Sequence, residues 1–264
     1  MMPTTGLDPG RTKLVYERDA ERYLRSLPLE HFMEATAQAT QRKVTVTSFD
    51  LIQLGRPDVQ CFSELLVQYP VPGRDPDEPA RVGPDNMVVV HPEPIRADRS
   101  YMLPLQPVGP FLVLEYVSQG SRRKDYDDSY RKYERELRVP YYLLFYSDNE
   151  EMTLFRLVGD RYVTVTPHPA GRLAIPELEL EVALHEGWVR FWFRGGLVPV
   201  PTELQKRLDT LGEQLRAERE ARLAAEQRAT ASEQVAESER QARLAVEAEL
   251  ARLRDELARA RGQQ

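Results

Sequence analysis

A carboxylate set in an otherwise apolar strand is the most informative residue of this chain. Glu115 lies inside the run Phe111-Leu112-Val113-Leu114-Glu115-Tyr116-Val117, and a buried charge without a partner is costly enough that something must compensate it. Strand alternation places Phe111, Val113 and Glu115 on one face. Glu115 then falls near the C-terminal end of its strand, where open parallel sheets commonly bind ligands. Two compensations are open: a cation such as those of Arg122-Arg123-Lys124, or a metal site.

A second carboxylate bears on that choice. Pro84-Asp85-Asn86 directly precedes Met87-Val88-Val89-Val90, a turn feeding an apolar strand that could hold Asp85 rigidly beside Glu115. Two carboxylates so close repel unless a divalent cation joins them. Pro57-Asp58 and Pro76-Asp77 are rival Pro-Asp pairs, but only Asp85 is followed at once by a buried-looking strand. Other chemistries find little support. His31, His91, His168 and His185 show no paired spacing, Cys61 is the single cysteine, and no glycine-rich GxxxxGK[ST] loop occurs. Zinc chemistry, a disulfide framework and P-loop nucleotide hydrolysis are therefore disfavoured.

The elements that must position these residues follow from periodicity. Residues 29–42 have helical spacing and residues 44–52 alternate and are β-branched, so a helix followed by a strand is expected. Residues 65–69 and 87–90 read as strands separated by a Pro, Gly and Asp-rich surface loop at 70–84, and 91–110 is expected to be irregular. Strand 111–117, helix 126–138 and strand 141–146 form a crossover unit with parallel neighbours. Segments 153–157 and 162–166 flank a Val158-Gly159-Asp160 hairpin turn, and 178–184 is expected as an edge segment. Trp188, Phe191, Trp192 and Phe193 should close the core from one side.

Composition changes near residue 201, giving an expected organisation of an N-terminal extension (1–28), a mixed α/β domain (29–200) and a helical tail (201–264). From Thr202 to Arg261 there is no proline, and good helix formers dominate, which predicts a helix of about 60 residues and ~90 Å. Leu204, Leu208, Leu211 and Leu215 share a heptad phase with Val246, Leu250, Leu253 and Leu257. The seam between them, Glu218 to Arg243, is charged or small and should be its weak part. A homo-oligomeric coiled coil and a solvated single helix are the two readings. The formal charge is −6, which argues mildly against tight non-specific binding to phosphates. With one cysteine, no apolar leader and no run of eighteen apolar residues, the chain is expected to be cytoplasmic, with no membrane partner.

In order, the chain has a helix, a strand, Pro84-Asp85 before an apolar strand, Glu115 with Ser118, and a basic stretch ending in Asp125. A helix with Tyr133 follows, then Val139-Pro140-Tyr141-Tyr142 and an apolar strand ending near Asp148. This order resembles the restriction-endonuclease-like family called Uma-two, within the PD-(D/E)XK superfamily, over about residues 29–184. The resemblance implies a mixed sheet flanked by helices, with Asp85 and Glu115 as ligands of Mg2+ or Mn2+ and Glu34 as an accessory carboxylate. It implies hydrolysis of DNA phosphodiesters, with a lysine positioning the attacking water. Here the chain departs from the pattern: Val117 stands where the superfamily has lysine, and Ser129 stands at the family's alternative position. Lys132 and Lys124 are the remaining candidates. The alternative function is a nuclease-fold scaffold that no longer cuts. If it does cut, two sites joined by the tail would suit double-strand cleavage.

Overall fold

Among the described residues, three sheets stack around two apolar layers, and the strand carrying Glu115 lies between those layers. The structure is a computed structural model that describes residues 8–27, 36–75, 77–117 and 128–261. Two helices come first, α1 (Pro9–Ser26) and α2 (Thr36–Gly55). The central sheet has six strands in the order β1 (Val59–Ser63), β4 (Asn86–Val90), β6 (Leu112–Val117), β7 (Tyr141–Tyr146), β8 (Glu151–Val158) and β9 (Arg161–Thr164). β6 and β7 run parallel and the other pairs antiparallel, as the crossover and the hairpin predict. Gly159 takes φ 63° in the hairpin turn, a left-handed conformation that glycine adopts without strain.

Along β6, Leu112, Leu114 and Tyr116 enter one layer while Val113 and Val117 enter the other. The first layer packs α2 and a four-stranded sheet, β10 (Leu173–Ile175), β11 (Leu180–His185), β12 (Trp188–Phe193) and β13 (Gly196–Leu197), against the central sheet. Phe191 of β12 is buried there, its ring edge-on to Phe49 at 5.2 Å. The second layer lies under a three-stranded sheet, ordered β3 (Ala80–Val82), β2 (Leu66–Tyr69), β5 (Ser100–Met102).

Several expectations are corrected. Residues 44–52 are not a strand but the second half of α2. The buried residues Gln41, Thr45, Ser48, Phe49 and Ile52 follow helical spacing, and burying Phe49 and Ile52 gains roughly 1.5–3 kcal/mol each, against a few tenths lost to β-branched helix propensity. The stretches 70–84 and 91–110 contain β3 and β5, three-residue strands too short to show a period. Segment 178–184 is not an edge: β11 lies between β10 and β12. Ahead of residue 28, α1 is capped by the Asp8 carboxylate, which accepts the Gly10 N–H at 3.0 Å. It is tied down by the buried Gln68, whose amide donates to the Tyr16 carbonyl and to Asp19, both at 3.0 Å.

The contacts divide the chain into Met1–Pro201 and Thr202–Gln264. The second unit is one helix, α3 (Pro201–Arg261, 61 residues). No described helix is long and apolar enough to cross a membrane.

Candidate active site

Asp85 directly precedes β4, and Glu115 lies in the neighbouring strand β6. β4 pairs with β6 in the register Asn86↔Leu114, which, carried one residue further, sets Asp85 opposite Glu115. The Asp85 carboxylate caps that end of the ladder, its Oδ2 accepting the N–H of Tyr116 at 2.6 Å. The Asp85 carbonyl accepts the Glu64 N–H at 3.0 Å, fixing the residue from its other side. Oδ1 faces the Arg42 guanidinium at 3.2 Å, which also pairs with Glu64 at 2.8 Å.

Glu115 is buried, 7% exposed, and its Oε1 accepts the Tyr133 hydroxyl at 2.7 Å. Burial first, then the charge of Glu115 and, further down, that of Asp85 push the Tyr133 phenol well above its ordinary range. The phenol therefore stays protonated and keeps donating to the carboxylate.

Tyr133 is aimed by a π-helical turn, Lys132–Glu136. The Leu137 N–H reaches the Lys132 carbonyl at 2.9 Å, a five-residue closure that takes up one residue more than an α-turn. The turn is fastened by Glu134, which is buried and accepts the Tyr162 N–H at 2.8 Å.

From α2, Gln38 donates to the Tyr116 carbonyl at 2.7 Å, and one turn later comes Arg42. Sequence reading missed both. Their signal is the spacing 38, 42, which puts Gln38 and Arg42 on one face of α2. Lys132 pairs with Asp128 at 2.7 Å, within its own turn. Lys124 and Glu34 lie outside the described residues, as do Ser118 and Asp125.

The donors fit a hard divalent ion. Asp85 and Glu115 stand at facing positions of the β4–β6 ladder, and both offer carboxylate oxygens, the donor type that Mg2+ prefers while keeping several waters. Among the described residues no group of three or more His, Cys, Asp or Glu side chains gathers to cage an ion, so an ion here would rest on two carboxylates. Burial pushes the thiol of Cys61 up to about 12.

Comparison with known proteins matches residues 34–186 to the family described as "Uma2: Putative restriction endonuclease". A crystal structure from Anabaena variabilis, described as "a putative nuclease belonging to DUF820", is similar at 13% identity and a TM-score of 0.41, over 55% of this chain and 75% of that one. No curated protein matches.

Proposed function

The chain belongs to the Uma2 family of restriction-endonuclease-like proteins, and from that premise we propose that it is a Mg2+- or Mn2+-dependent endonuclease that hydrolyses DNA phosphodiesters in the cytoplasm. The observation that carries the reading is the hydrogen bond from the Tyr116 N–H to Asp85, which ties one carboxylate to the residue adjoining the other. Asp85 and Glu115 would hold the ion, with Glu34 as an accessory carboxylate. When bound, such an ion polarises a phosphoryl oxygen and lowers the pKa of a coordinated water.

The chain's own groups orient and balance that centre. Tyr133 holds the Glu115 carboxylate in one rotamer, and the Tyr116 N–H does the same for Asp85. Arg42 offsets part of the negative charge of Asp85. Lys132, released from Asp128, or Lys124 would position the attacking water and stabilise charge developing on the phosphate. The tail would join copies of the chain into an oligomer.

A non-cutting, scaffolding reading is favoured by one feature, the Arg42 guanidinium already paired with Asp85. Plasmid incubated with protein and Mg2+ or Mn2+ separates the two. Cleavage is expected, and Asp85→Ala and Glu115→Ala should each lower it by on the order of 100-fold or more. Cleavage that persists in both variants would falsify the site. An inert wild-type protein would leave the scaffold.

A further inference from the structure

The seam of α3 is a palindrome in its chemistry. When two copies are laid antiparallel about the point between Thr230 and Ala231, Leu208 falls opposite Leu253 of the second copy, Leu211 opposite Leu250, and Leu215 opposite Val246. The next layers set Glu218 against Arg243 and Arg222 against Glu239. At the middle, Ala225 meets Ala236 and Ala229 meets Ser232, small residues that let two backbones approach closely. Every layer is therefore apolar with apolar, acid with base, or small with small.

The competing arrangements fail on the same layers. In a parallel pair in register each residue meets itself, so Glu218, Arg222, Glu239 and Arg243 make four like-charge layers in the seam. The rim pairs that a parallel pair would gain, Arg228 with Glu233 and Glu249 with Arg254, are exposed and contribute little. Sliding the antiparallel pair by one heptad sets Glu218 against Leu250, or Leu211 against Arg243.

The single chain leaves this stripe unmet. Leu208 is 55% exposed and Leu253 51%. Of the four seam charges, Arg222 reaches Glu226 on its own helix at 3.0 Å. Glu218, Glu239 and Arg243 have no ion-pair partner among the described residues.

We propose that α3 pairs with α3 of a second copy as an antiparallel two-stranded coiled coil centred between Thr230 and Ala231. The proposal rests on the self-association put forward above and adds its direction, register and strand number.

The full chain tests it. Light scattering should give a dimer; a monomer would overturn the self-association together with this inference, and a trimer or larger assembly would overturn the inference alone. In a Cys61→Ser background, Ala225→Cys and Ala236→Cys are made separately. Under mild oxidation each alone should stay uncross-linked, and the two mixed should give a disulfide-linked heterodimer. Self-cross-linking of either variant would overturn the antiparallel direction while leaving the dimer standing. With Cys61 intact, Glu218→Arg should weaken dimerisation at least ~10-fold, and adding Arg243→Glu to the same chain should restore it. Absence of the loss or of the rescue counts against the register.

Discussion

At the residue scale, Glu115 is held by a phenol, and the energetic stake lies in that hydrogen bond. Tyr133→Phe keeps the ring within its layer and removes the hydroxyl, leaving a buried carboxylate oxygen without its donor. We expect a loss of about 1–3 kcal/mol in stability and of roughly 10–100-fold in ion affinity or activity. Urea unfolding and Mn2+ titration of the variant read the two effects, and unchanged values in both would remove Tyr133 from the site. Asp85 and Glu115 stood out in the sequence because a carboxylate beside or within an apolar strand is anomalous by itself. Arg42 and Gln38 did not, since a polar residue on a helix is ordinary until the fold shows which strand end it reaches. The partner of Lys132 was equally hidden: Asp128 is one of several acids within reach of a long, flexible side chain.

At the element scale, α2 shows why pattern reading miscarried. Alternating Val and Thr between residues 44 and 52 mimic a strand, yet the buried set recurs at helical intervals because Phe49 and Ile52 have the four-stranded sheet to pack against. That partner lies more than a hundred residues away, so no local window contains the deciding contact. Phe49→Ala should therefore cost about 3–5 kcal/mol, seen as a lower thermal midpoint with helical circular dichroism retained. A cost under 1 kcal/mol would mean the packing of α2 matters little. The long apolar strands β6 and β7 and their parallel pairing were legible because burial on both faces leaves an unbroken apolar run. β3 and β5 were not, since three residues cannot display a period. The π-helical turn has no sequence signature of its own.

At the scale of the whole molecule, buried phenols set a limit on the alkaline side. Burial pushes Tyr16 up to about 12 from an ordinary 10.0, and raises Tyr69, Tyr101, Tyr141 and Tyr162 as well. Below pH 10 these groups are protonated in both folded and unfolded chains, and their contribution is fully present. Above it the unfolded chain gives up protons that the fold retains, so stability falls by up to ~1.4 kcal/mol per pH unit for each such phenol. Urea midpoints should hold between pH 7 and about 9 and then decline; a flat profile through pH 11 would contradict the burial of these rings. The change in composition near residue 201 was the plainest large-scale signal, because a proline-free run of helix formers needs no tertiary context to be read.

The length of α3 has a mechanical consequence. Its 61 residues at 1.5 Å each make a strut of ~90 Å, which is about 26 base steps of B-form duplex at 3.4 Å per step. In the antiparallel pair proposed above, the two copies of α3 would begin at opposite ends of that strut.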